Sequence, residues 1–340
     1  MSYPARLLLA VAASLPVLAA SGCGAKPEGN PTRLVLKVGQ VLPASHPTSR
    51  AMLHFERRLE ELSNGRVDVR LYSSGQLGDA DQLIILSQLG NLEACVVSAA
   101  PLAQYAELFN VVVMPFLFRD NAHQHAVVDG PVGLELREHL RTRGLHAAAF
   151  FDSGSRNVMT IAGPVRTPRD LRGMKIRVMP SNVLQETVAC LGAMPQTISQ
   201  GEVYSALQTG VIDGWENNPA TCLAFSMQET GCIHFAWTRH VAIPDLLVFS
   251  RRWYDALDAE FRRAVDQTAE ETGLYQRRLW REDDRKAILA LEGAGMKFNE
   301  VDRQAFLARF DAFYDRYARK YGPRFEGLLT AIRQSDKETR

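Results

Sequence analysis

The chain predicts an α/β protein of two lobes joined by a long helix, and three features carry that expectation. Strand-like and helix-like segments alternate between residues 34 and 151. A proline-free run from Asp258 to about Leu291 reads as one helix. A second series, around KIRVMPS (175–181) and GEVYSALQTGVIDGWENNP (201–219), follows the first.

LVLKVGQ (34–40) reads as a strand. Met52, Phe55, Leu59 and Leu62 then recur at helical spacing up to Gly65, and Val67, Val69 and Leu71 alternate as the next strand. Strand, helix, strand is a βαβ unit, which implies a parallel sheet with a right-handed crossover. A helix from Asp81 to Leu89, a strand from Leu92 to Val97, a helix from Val132 to Arg143 and a strand from His146 to Phe151 continue the doubly wound pattern. At 1.5 Å per residue the Asp258–Leu291 run would extend about 50 Å, against ~30 Å for a small domain. It is therefore expected to bridge two lobes, with Gly273 as its soft point. Two such lobes enclose a cleft, and open sheets bind ligands beyond their strand ends.

In KIRVMPS, Ile176 and Val178 alternate with Lys175, Arg177 and Met179, and Pro180 ends the run. The side-chain period of two sends Arg177 to the face opposite Ile176 and Val178. A lone arginine is more often a solvated surface residue, so its neighbours must decide. In the 201–219 stretch, EVYSALQ reads as a helix ended by Gly210. Val211, Ile212 and Gly214 read as a short buried strand that delivers Trp215, Glu216, Asn217 and Asn218. Side-chain amides suit hydroxyls and carboxylates alike; Asp-Gly and Asn-Asn equally build turns.

The 340 residues are 46% hydrophobic and 23% charged, with 39 basic and 38 acidic side chains. That balance excludes a nucleic-acid or anionic-membrane binder defined by bulk charge. Arg6 precedes the apolar run Leu7 to Ala20, and Ala20, Ser21 and Gly22 lead to Cys23. Residues 1–22 read as an export signal, the apolar run being short of the ~20 residues of a membrane span. Cys23 is the candidate lipidation site, although Ala20 stands where such signals usually carry leucine, leaving ordinary cleavage open. Residues 23–32 read as a linker. Cys95, Cys190, Cys222 and Cys232 show no metal spacing, and a Cys222–Cys232 disulfide stays open.

No GxSxG, HExxH or phosphate-binding glycine loop is present, and His123 and His125 have no evident third ligand. No metal, cofactor or catalytic group is expected. A secreted α/β enzyme with an unrecognised site is the competing class.

SGQLGDADQLI (74–84), MPFLF (114–118), TPRDLRGMKIRVMPS (167–181), LGAMP (191–195) and EVYSALQTGVIDGWENNP occur in that order. Together they resemble the solute-binding proteins of tripartite ATP-independent periplasmic (TRAP) transporters, over nearly the whole mature chain. The resemblance implies the two-lobed periplasmic binding protein fold. Lobe I would be 33–153 with about 243–282, and lobe II 154–242 with about 283–325, followed by a C-terminal tail at 326–340. It implies a periplasmic monomer, anchored if Cys23 is lipidated, that closes around a small carboxylate and delivers it to a membrane permease, with no nucleic acid involved.

By the same resemblance Arg177 forms a bidentate salt bridge to the ligand carboxylate. Arg156 and Asn217 complete that clamp, and Glu216 and His240 form a polar network behind it. Ser98 stands where sialic acid binders carry an acid, and Asp79-Ala80-Asp81 replaces their acid–acid–arginine, which disfavours sialic acid. Gln200 in place of an aromatic, and the Asn217-Asn218 pair, favour a sugar acid such as a uronate or aldonate. Four-carbon dicarboxylates or 2-oxo acids are the alternative, with Arg156 holding a second carboxylate.

Overall fold

The computed structural model describes Arg33–Glu338; the expected signal, the linker and Cys23 lie outside the described residues. Eleven strands are present among them. They are β1 (Leu34–Gln40), β2 (Val67–Tyr72), β3 (Ala94–Ser98), β4 (Leu145–Phe151), β5 (Ser155–Thr160), β6 (Lys175–Val178), β7 (Met194–Thr197), β8 (Gly214–Asn217), β9 (His234–Ala242), β10 (Asp245–Ser250) and β11 (Lys297–Asn299). They form a five-stranded sheet ordered β2-β1-β3-β10-β4 and a six-stranded sheet ordered β11-β9-β5-β8-β6-β7.

Both sheets are mixed, where the βαβ pattern predicts parallel ones. β1 is parallel to β2 and β3, but β10 runs antiparallel between β3 and β4. In the second sheet β5 is antiparallel to β8 and β9, while β6 is parallel to β7 and β8. The cause is the connectivity. β4 runs on almost directly into β5, and β9 into β10, so the chain leaves the first sheet on one strand and returns on another running the opposite way.

The helix Ala259–Gly293 carries 35 residues without a break, capped by Asp258, whose side chain accepts the Phe261 N–H. Phe261, Val265 and Ala269 on its first half pack into the core of the first sheet. Further along, Trp280 and Ala287 pack on Ala220 of the helix Pro219–Ala224, which follows β8 of the second sheet. Gly273 does not interrupt the helix; it is buried against Ala149 and Phe150 of β4. Between those contacts Gln276 grips the crossing segment, accepting the Asp152 N–H at 2.8 Å and donating to the Asp152 carbonyl at 2.8 Å. Gly154 lies in the left-handed region at φ +58°, and a Cβ there would stand 3.2 Å from the Trp280 ring nitrogen. The crossing thus requires a residue with neither a φ penalty nor a side chain.

Two further expectations are corrected. Residues 326–340 are not a tail where described: the helix Pro323–Glu338 buries Phe325, Leu328, Leu329 and Ile332 in the core. Val211 is half exposed and outside any strand; β8 begins at Gly214, so Trp215, Glu216 and Asn217 lie within it. His123 and His125 sit in a helix, Asn121–Asp129, with separate partners. His123 Nδ1 accepts the Arg119 N–H at 3.2 Å, while His125 Nε2 lies 3.2 Å from Asp152 Oδ2. Among the described residues Cys95, Cys190, Cys222 and Cys232 are free thiols, and burial raises the pKa of Cys222 and Cys232.

Candidate ligand-binding cleft

Between the two sheets lies a cleft of about 760 Å³, open solvent at its mouth included, lined among others by Ser98, Arg156, Arg177, Gln200, Asn217 and Asp245. The second sheet supplies its cationic wall. β6 is a central strand, with Arg177 opposite Gln196 of β7 and Trp215 of β8, so its side chain is held between neighbours and only 1% exposed. Gly214 makes this packing feasible, since a Cβ there would come within 2.3 Å of the Met159 carbonyl.

Arg156 and Glu216 are 60 residues apart in sequence, and the β5–β8 register sets Val158 opposite Glu216. Both oxygens of the Glu216 carboxylate accept from Arg156, Oε1 from Nη2 at 2.9 Å and Oε2 from Nε, while the Glu216 carbonyl accepts a further bond from Nη2 at 2.7 Å. The remaining nitrogen, Nη1, donates to Asn217 Oδ1 at 3.1 Å. Burial alone would raise the Glu216 carboxyl, but the Arg156 charge and hydrogen bonds, with the His240 ring close by, hold it down at about 2. Behind it His240 Nε2 stands 3.5 Å from Glu216, and its Nδ1 is 2.9 Å from the Thr238 hydroxyl.

Arg177 differs. Its Nε donates to the Ile198 carbonyl at 2.8 Å and its Nη1 to Gln200 Oε1 at 3.0 Å, and no carboxylate lies within ion-pair distance among the described residues. Burial pushes the guanidinium down to about 9, with Glu216 opposing and Arg156 adding, so it stays charged at neutral pH. The Arg177 bond orients Gln200, leaving its Nε2 buried with no hydrogen-bond partner among the described residues. In the same way Asn217 Oδ1 accepts from Arg156 Nη1 and from the Asn218 backbone and side-chain N–H groups. Its Nδ2 donor is thereby left for the cleft. Arg177, Gln200 and Asn217 form an arc of hydrogen-bond donors around one buried positive charge. Such an arc fits a carboxylate, which is acceptor-only and matches a guanidinium bidentately.

Of the residues singled out from sequence, Arg177, Arg156, Asn217, Gln200 and Ser98 line the cleft. Glu216 and His240 lie behind it, fully buried. Asn218 caps the helix Pro219–Ala224, accepting the Thr221 N–H at 2.7 Å, and donates to the Ser153 carbonyl at 3.0 Å. Arg156 is occupied by Glu216 and Asn217 and does not stand as a second free cation. Asp245, Asp79, Asp81, Ser199 and Thr221 also line the cleft. Asp79 and Asp81 entered the sequence reading only as departures from a motif, and Asp245 carries no local pattern that would have marked it.

Hydrogen bonds cross the cleft at its rim. Ser199 donates to Asp79 Oδ2 at 3.3 Å, and Gln104 Nε2 to the Pro180 carbonyl at 3.1 Å. His46 Nε2 lies 3.2 Å from the Thr221 hydroxyl, and its own burial pushes its pKa down to about 3, so it bridges as a neutral ring.

The family model for bacterial extracellular solute-binding protein, family 7, matches residues 38–320. The C4-dicarboxylate-binding periplasmic protein DctP of Rhodobacter capsulatus is 30% identical, over 85% of this chain and 88% of its own. A TRAP periplasmic solute-binding protein from Chromohalobacter salexigens with bound D-glucuronate superposes with a TM-score of 0.86. It is 29% identical, over 88% of this chain and 99% of its own. The corresponding protein from Sulfitobacter sp. NAS-14.1 with bound β-D-galacturonate superposes at 0.85, with 28% identity over 88% and 99% of the two chains.

Proposed function

Since the chain belongs to bacterial extracellular solute-binding protein family 7, a family of binding proteins rather than enzymes, we propose that it captures a sugar acid, a hexuronate foremost, by closure of its two lobes. The observation that carries this reading is the contrast between two buried arginines. Arg156 is neutralised by Glu216, whereas Arg177 is buried without a carboxylate of its own. An unpaired charge in a dry cleft is costly, and a ligand carboxylate relieves that cost most fully when the lobes are closed. Ligand affinity is therefore spent on the closed form.

Uronates are favoured because solved relatives at 28–29% identity hold glucuronate and galacturonate. Dicarboxylates are disfavoured because Arg156, their natural second anchor, is already committed. The Rhodobacter relative named for C4-dicarboxylates keeps that second reading open to test. We further propose that residues 1–22 direct export, that Cys23 carries the lipid anchor, and that the closed monomer docks on a TRAP membrane permease. Arg177, Asn217 and Gln200 contact the carboxylate in this reading, with Arg156, Glu216 and His240 fixing the Asn217 orientation.

The test is a thermal-shift and calorimetric panel on refolded, ligand-stripped protein. Hexuronates, aldonates, four-carbon dicarboxylates, 2-oxo acids and neutral hexoses are compared. A ligand at 100 times its dissociation constant adds about 2.7 kcal/mol to stability. Stabilisation by hexuronates and not by neutral hexoses is expected; equal stabilisation by neutral hexoses would remove Arg177 from carboxylate recognition. Intact mass of the membrane-extracted protein tests the Cys23 anchor.

A further inference from the structure

We propose that Asp245 is the specificity-determining group of the cleft: it receives ligand hydroxyls on the wall facing the carboxylate-binding arc and turns away ligands with a second carboxylate. The inference rests on the sugar-acid reading above and deepens it.

The placement of Asp245 comes from topology. β10 inserts antiparallel between β3 and β4, with Asp245 at its start opposite Ser98 on one side and Phe151 on the other. Arg177, Arg156 and Asn217 belong to the other sheet. The cleft is therefore chemically polarised, with a cation and amide donors on the second sheet and a carboxyl beside a hydroxyl on the first. Asp245 is 7% exposed and lines the cleft, yet among the described residues it has no basic side chain within ion-pair distance. Burial pushes its carboxyl up to about 7, against the pull of Arg156 and the Ser98 hydroxyl and reinforced by Asp152. Among the described residues the Ser98 hydroxyl and the Arg156 charge are its favourable partners, and neither pairs it as a salt bridge.

Its chemistry matches one end of a hydroxylated acid. A carboxylate accepts from two hydroxyls at once, and a buried acceptor discriminates strongly against ligands that leave it unpaired. Above about pH 7, where Asp245 is ionised, a second carboxylate at that end would instead face a like charge. Arg156 offers little relief, because Glu216 and Asn217 take four of its five N–H groups and the Glu216 carboxylate neutralises its charge. A ligand with one carboxylate and several hydroxyls satisfies both walls; a dicarboxylate of the same length satisfies only one.

The test compares D-glucuronate with D-glucarate, which carries a second carboxylate, by calorimetry at pH 8 on the wild-type chain and on Asp245→Asn and Asp245→Ser. The difference in shape between the two ligands cancels when the affinity ratio is compared across proteins. Wild type is expected to prefer glucuronate at least tenfold, and both variants to reduce that preference at least tenfold, with melting temperature confirming that they fold. Glucuronate binding by wild type with an unchanged ratio in both variants would overturn the role of Asp245 alone. Equal weakening of both ligands would also overturn it, reducing Asp245 to a contributor to closure. Failure of wild type to bind any hexuronate would overturn this inference together with the reading beneath it.

Discussion

Arg156 and Glu216 are locked to each other rather than to the cleft: Arg156 Nη2 donates to Glu216 Oε1 at 2.9 Å while Arg156 Nε donates to Oε2, and both side chains are at most 5% exposed. The pair turns a second buried cation into scaffolding. Replacing Glu216 by Gln strands a desolvated guanidinium, and the expected cost is about 3–5 kcal/mol. Chemical denaturation measures it. Replacing both members, Arg156→Met with Glu216→Leu, should cost less than Glu216→Gln alone, since no charge is left unpaired. A loss under about 1 kcal/mol in Glu216→Gln would mean the pair is screened by water, against the general expectation for buried pairs.

Acid stability should register the same pair. Glu216 is lowered from 4.5 in the reference state to about 2 in the fold. Above 4.5 its contribution is fully present. As pH falls from 4.5 towards 2 the unfolded chain takes up a proton that the folded chain refuses, and the contribution is lost. The size is on the order of 3 kcal/mol. The stability gap between wild type and Glu216→Gln should close across that interval; a gap independent of pH would rule out the linkage.

Arg177→Lys keeps the charge but loses the planar fork that serves Ile198, Gln200 and a ligand carboxylate together. Affinity for a uronate is expected to drop by about 2–4 kcal/mol, roughly 30- to 1,000-fold. Circular dichroism should remain that of wild type. Calorimetry giving wild-type affinity would exclude Arg177 from the site.

Gln200→Glu places a carboxylate where the side-chain carbonyl already meets Arg177 Nη1 at 3.0 Å. The protein then supplies its own counter-ion. The melting temperature of the ligand-free protein should rise, and the shift produced by saturating uronate should shrink or vanish. A variant that melts lower and still binds would contradict the idea that Arg177 awaits an anion.

Asp245 should act on stability in the opposite sense to Glu216. Its carboxyl is raised from 3.8 to about 7 by burial, with Asp152 adding and Arg156 and Ser98 opposing. Between those values the fold holds a proton that the unfolded chain has released, so stability declines as pH rises. Asp245→Asn removes the titration. Its melting temperature should approach that of wild type near pH 4 and exceed it at pH 8, by on the order of 1–4 kcal/mol in stability. A variant no more stable than wild type at pH 8 would show that the carboxyl ionises without penalty.

Much of the fold was legible because local pattern and tertiary role coincide. The alternation Ile176-Arg177-Val178 marked a strand with a guanidinium standing out from its apolar positions, and β6 is that strand. The Asp258–Leu291 stripe marked a helix too long for one lobe, and Ala259–Gly293 touches elements of both sheets. Misreadings occurred where local signals were silent or ambiguous. Val211, Ile212 and Gly214 suggested one short strand, of which only Gly214 belongs to β8. The amphipathic Leu328, Leu329 and Ile332 were passed over as a tail although they bury in the core.

Sequence alone determined which side chains were available: an arginine on a short strand, a run of polar side chains after Trp215, a glycine at 214 where two strands meet. Tertiary structure decided which of them remain unsatisfied. Arg156 and Glu216 lie 60 residues apart and meet only through the antiparallel β5–β8 register, which removes one cation from ligand binding. Asp245 reaches the cleft only because β10 returns to the first sheet beside Ser98. Local periodicity specifies which face of an element a side chain occupies, whereas the partner of a buried charge depends on strand order and register, which are set by contacts distant in sequence.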